Sequence, residues 1–139
     1  MNSCIMLALA IGFVSMLQSC KTMATADEMS TVHKGMSMDD VARMLDLKPE
    51  HSINFSADGK EFIVDVYALM TAQYTTSSSS ASGISTSSTV SVSSPMLFLF
   101  RSDKLMYWGY MNEFSKSEES DINQLASNIY REYYHIYEK

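Results

Sequence analysis

The sequence predicts an α+β domain: a two-layer sandwich in which an antiparallel four-stranded sheet is accompanied by a short N-terminal helix and a C-terminal helix. Three observations predict it. Strand-like stretches recur four times, from strict period-two alternation at residues 52–56 to a run apolar on both faces at residues 96–100. Tight polar turns join those stretches in pairs, so neighbouring strands run antiparallel. Apolar residues at helical spacing frame them at both ends, and a helix with a single apolar stripe has to bury it against a sheet.

The first helix opens at Gly35-Met36-Ser37. Ser37 is a good N-cap, and Asp40 three residues on shortens the usual capping box by one methylene. Met36 and Val41 fall at the staple positions, and Val41, Met44 and Leu45 form one apolar face. Asp39 and Asp40 suit the positive end of the helix dipole. The helix has to stop before Pro49, whose ring pushes the preceding residue out of the α region.

Ser52 to Ser56 alternates strictly, and Asp58-Gly59 is a strong hairpin turn. The second strand runs from Glu61 to about Ala72, with Phe62, Val64, Val66, Ala68 and Met70 on one face and Ile63, Asp65, Tyr67 and Leu69 on the other. From Thr75 to Ser94 the chain is almost entirely Ser and Thr. Its middle has too little apolar area to offset its ordering entropy, so a long disordered loop is expected, with alternation from Thr89 to Ser93 starting the next strand early. Met96 to Phe100 is apolar on both faces, which suits a central strand covered on both sides. Arg101 to Lys104 turns the chain back into Leu105 to Tyr110, where Gly109 signals a bulge or a close backbone approach. Ile122, Leu125, Ile129, Tyr133 and Ile136 then define the last helix, which starts at about Glu118 or Ser120 and ends at Tyr137; Tyr130, Tyr134 and Tyr137 widen its apolar face.

At the N-terminus, Ile5 to Leu17 carries no charge but is shorter than the roughly 20 residues a membrane span needs. It has the length of a secretory h-region, although no Lys or Arg precedes it. It ends in Leu17-Gln18-Ser19-Cys20, which resembles a bacterial lipobox. The resemblance implies cleavage between Ser19 and Cys20 and a covalent lipid on Cys20. Residues 1–19 then form a lipoprotein signal peptide, 20–33 a flexible tether without apolar period, and 34–139 the domain. Cys4 leaves with the signal and Cys20 is consumed by lipid, so the mature chain has no thiol for a disulfide, a redox motif or a zinc site. Lys21, rather than Asp, follows the Cys, which favours the outer over the inner membrane by resemblance to known sorting rules.

Gly35-Met36-Ser37, Asp40-Val41, Met44-Leu45 and Pro49, followed by this strand pattern and preceded by the lipobox, resemble the opening motif of the SmpA/OmlA lipoproteins, the BamE-like family. Asp46 stands where that family has Gly, and Pro49 comes one residue late. The resemblance implies an envelope protein that works by binding other proteins, as an accessory to outer-membrane protein assembly. The alternative in a different functional class is an inhibitor or sensor that engages a soluble envelope enzyme.

Nothing in the sequence assembles a catalytic or metal site. His33, His51 and His135 have no ligand spacing among them, and neither a nucleophile elbow nor a Gly-rich phosphate loop occurs. No catalytic residue, metal or diffusible cofactor is therefore expected. The net charge of −6 argues against nucleic acid as a partner. If both helices cover one sheet face, the other presents Ile63, Tyr67 and Leu69, with Tyr107 and Trp108 at adjacent, opposite-facing positions, as a partner-binding surface. The alternative of equal weight is that the C-terminal helix crosses to cover that face.

Overall fold

The computed structural model of the chain describes residues 21–137. The signal peptide expected at 1–19 and the expected lipid-attachment residue Cys20 lie outside the described residues. In chain order the elements are α1 (Ala26–Met29), α2 (Met38–Leu45), β1 (His51–Ala57), β2 (Lys60–Ser79), β3 (Ser85–Arg101), β4 (Lys104–Gly109), α3 (Met111–Phe114) and α4 (Ser120–Tyr137). The four strands form one antiparallel sheet in sequence order. The α+β class, the four-stranded antiparallel sheet and the helix at each end are as the sequence predicts.

Local chemistry accounts for the boundaries. Ser37 Oγ accepts from Asp40 N at 3.1 Å while Asp40 Oδ2 accepts from Ser37 N at 3.4 Å, a reciprocal cap that starts α2. Those two bonds to Ser37 hold the Asp40 carboxyl below its ordinary pKa. From the β3–β4 turn, Asp103 Oδ1 accepts from Met38 N at 3.0 Å, so α2 is capped from outside its own segment as well. Asp46 ends the helix in a left-handed conformation at φ 50° and ψ 41°. Asp58-Gly59 and Ser102-Asp103 all have positive φ, as two-residue turns between twisted strands require.

The layering differs from the two-layer sandwich. Ile53, Phe55, Phe62, Val64, Val66, Leu97 and Leu99 pack against Phe114 and against Ile122, Leu125 and Ile129 of α4. Tyr67, Leu69, Met96, Phe98 and Phe100 point the other way and pack against Val41 and Leu45 of α2. The helices therefore lie on opposite faces, which is the crossing that the sequence left open. The reason lies in β2 and β3, whose central residues, Asp65 aside, are apolar on both faces; one layer of helix would leave Tyr67, Leu69 and Phe98 in water.

Two other segments differ from their sequence reading. Residues 21–33, read as a tether, are packed onto the domain. Ala24 pairs with Leu69 in a parallel bridge, donating from its N to Ala68 O at 2.8 Å and accepting from Met70 N at 2.9 Å, and it is fully buried. Val32 and Met36 are buried beside it. Lys21 Nζ donates to Leu45 O at 2.6 Å, placing a cation on the C-terminal carbonyls of α2, and also contacts the Glu28 carboxylate, which it holds below its ordinary pKa. The Ser/Thr stretch at 75–94, read as a disordered loop, is the outer half of the β2–β3 hairpin. Register runs unbroken from Ala72↔Val92 to Ser79↔Ser85, and the chain turns at Ser80–Ile84. Backbone pairing propagates outward from the core strands, and hydroxyls add cross-strand bonds such as Thr76 to Ser88 at 2.8 Å and Ser78 to Thr86 at 3.0 Å.

Candidate functional site

The site is built where β3 emerges from under β4. Pairing between β3 and β4 reaches only Leu97↔Gly109, so Ser94 and Pro95 lie beyond the edge of β4. The chain leaves β4 through Gly109 and turns into α3. A Cβ on Gly109 would sit 2.5 Å from Glu113 Oε2, the same atom that accepts from Tyr110 N at 2.7 Å. Glycine leaves the Glu113 carboxylate room to cap its own helix. Phe114, fully buried, pins α3 to the core, and Tyr107 meets it edge-on with ring centres 4.9 Å apart. Asn123 Nδ2 then donates to Ser115 O at 2.7 Å, tying the end of α3 to α4.

These constraints hold open a groove of about 1050 Å³. One wall is a stripe of α4, residues Asn123, Ser127, Tyr130 and Tyr134, spaced by three and four. The other wall is Tyr110, Met111 and Asn112, and Pro95 closes one side. Tyr130 and Tyr134 have ring centres 4.3 Å apart, and Tyr130 is half exposed. Next to this stripe, Tyr133 stacks on Tyr137, and Tyr137 meets His51 of β1 edge-on at 5.1 Å. Burial, with the neighbouring Tyr133 and Glu50, pushes the Tyr137 phenol up to about 12, and burial raises that of Tyr133. Tyr130 and Tyr134 give the α4 stripe apolar rings with hydrogen-bonding tips, a composition suited to binding.

No family model, curated protein or solved structure matches the chain.

The surface expected from the sequence is not assembled. Tyr67 and Leu69 are buried beneath Ala24 and α2, because the N-terminal segment docks where solvent was expected. Tyr107 and Trp108 point to opposite faces, one against Phe114 and the other toward the α2 side. Ile63 alone reaches a shallow depression, shared with Phe100 and Arg101. Nothing in the sequence could bring Pro95 and Tyr130 together, since they are distant in the chain. The local signal that was available is the tyrosine pair at i and i+4.

A second polar locus lies inside the α2 layer. Asp65 is 2 % exposed, and its Oδ1 accepts from Ser52 Oγ at 2.5 Å. Burial raises its pKa, and the Ser52 bond partly offsets this. Tyr67 follows two residues later on the same face; its hydroxyl is buried and has no hydrogen-bond partner. Burial raises its pKa well above the ordinary phenol, and the Asp65 charge adds to the effect. Among the described residues, no three His, Cys, Asp or Glu side chains converge as metal ligands, and no helix is long and apolar enough to cross a membrane.

Proposed function

We propose that the chain is a non-catalytic lipoprotein of the bacterial envelope, anchored by lipid on Cys20, that binds a protein partner through the tyrosine-walled groove as an accessory to outer-membrane protein assembly. The observation that carries this reading is the groove itself. The α4 stripe from Asn123 to Tyr134 spans about 16 Å at 1.5 Å per residue, the length of about five extended residues. Rings provide apolar area, while the side chains of Asn112, Ser127 and Arg131 supply polar groups along the same length. That combination suits an extended polypeptide segment, whose backbone needs polar partners at regular intervals. The lipobox and the resemblance of Gly35-Met36-Ser37 and its following residues to the BamE-like family support an envelope setting. Docking of the chain from Lys21 onward supports an anchor that keeps the domain close to its bilayer.

Affinity purification from detergent-solubilised envelopes tests the reading. The wild-type chain is expected to recover barrel-assembly subunits, and the double variant Tyr130→Ala, Tyr134→Ala to lose them while keeping its melting temperature. Recovery of no such subunit by the wild type, or equal recovery by both, overturns it.

A further inference from the structure

We propose that two copies of the chain associate through the outer edge of β2 in the Ser/Thr arm, strand against strand, forming a four-stranded ribbon about a two-fold axis. The arm begins where the sheet narrows to two strands. On the outer side of β2, β1 pairs only as far as Val66, and Ala24 bridges at Leu69. From Thr71 to Ser79, that edge has no strand beside it among the described residues. Its backbone N–H and C=O groups are a template for another strand.

Sheet edges that must stay single are usually guarded by charges, Pro or covering loops. Among the described residues this one has none of these. No charged side chain occurs from Val66 to Phe100, and no Pro lies in β2. A two-stranded ribbon without a buried face is also marginal in water, and a third and fourth strand would relieve that. The other edge of the arm is treated differently, since Pro95 removes a backbone donor at the base of β3. An assembly that uses β2 alone closes at two copies, as a self-complementary patch about a two-fold axis must.

Charge selects a second copy as the occupant. Each chain carries −6, so copies repel over most of their surface, yet the arm contributes none of that charge. Six of the nine side chains from Thr71 to Ser79 are Ser or Thr, small enough for two identical strands to approach and able to exchange hydroxyl bonds across the seam. On one face, Tyr74 lies directly across from Val90 and Ala72 across from Val92, and Tyr74, Val90 and Val92 are exposed. Antiparallel pairing of two β2 edges brings Tyr74 beside its counterpart on one face and shields part of both patches from water.

The test is the protein mass of the full chain in mild detergent, measured by light scattering with the micelle subtracted. The wild type is expected at the mass of two chains at micromolar concentration. Ser77→Lys, on the β2 edge, is expected to halve it. Ser87→Lys, directly opposite on β3, is expected to leave it at two chains. The pair separates loss of the edge contact from loss of the hairpin. A wild-type mass of one chain, a mass that keeps growing beyond two, or equal behaviour of the two lysine variants overturns the proposal.

Discussion

Asp46 holds a backbone conformation that costs most L-residues roughly 1–2 kcal/mol, and it does so because the chain must leave α2 within one residue. Its N–H still closes the helix onto Ala42 O and Arg43 O. Glycine adopts that conformation without the Cβ penalty, so Asp46→Gly is expected to stabilise the domain by about 0.5–1 kcal/mol, read from chemical denaturation. A decrease in stability would mean that the carboxylate makes an indispensable contact. Asp65 presents a different single-residue effect. Burial raises its folded-state pKa above the ordinary 3.8, so the native state keeps the proton over a window in which the unfolded chain has already released it. Stability from this group is therefore present at low pH and is lost as pH rises from the unfolded value through the folded one. Asp65→Asn keeps an oxygen for Ser52 and carries no charge. Its melting temperature should exceed that of the wild type at pH 7, and the gap should close toward pH 4. A variant less stable than wild type at pH 7 would show that the buried charge has a partner that the geometry does not reveal.

The hairpin arm shows where an element ends energetically before it ends geometrically. Core pairing of β2 with β3 is covered by helices on both faces, but beyond Thr71 the strands are exposed and held by backbone bonds and hydroxyls. Replacing residues 73–91 by Asn-Gly joins Ala72 to Val92, which already face each other across the ladder. The shortened chain is expected to melt within a few degrees of wild type; a large loss would mean that the arm supports the core. The elements themselves were largely legible in sequence. Ser37 and Asp40 marked the start of α2, Asp58-Gly59 the first hairpin, and the Ile122–Leu125–Ile129 period the last helix, because each signal is local. Composition misled at the arm, since a run of Ser and Thr buries little whether it is coiled or paired, and pairing there is inherited from Ala68, Leu69 and Met70 rather than encoded in the run. Residues 21–33 misled for the opposite reason. Ala24 and Val32 dock as isolated contacts with no period, so nothing in the segment distinguishes it from a tether.

At the scale of the molecule, the layering decides what is available for binding. With α2 and the N-terminal segment on one face and α4 on the other, Tyr67 and Leu69 become core, and the accessible aromatic surface moves to the flank of α4. Sequence reasoning placed the tyrosines of α4 correctly on a widened stripe, but it could not show that Pro95 and Tyr110 close the groove, because that depends on where β4 stops along β3. The central claim is that this groove, on a domain held at the envelope, seats a polypeptide partner. The most direct measurement is photo-crosslinking in cells from a benzophenone side chain at Ser127 inside the groove, with Ser56 on the far strand β1 as the control position. The account predicts one discrete adduct with a barrel-assembly subunit from Ser127, absent from Ser56 and lost when Tyr130 and Tyr134 are changed to Ala. The same adduct from both positions, or none from Ser127, would contradict it.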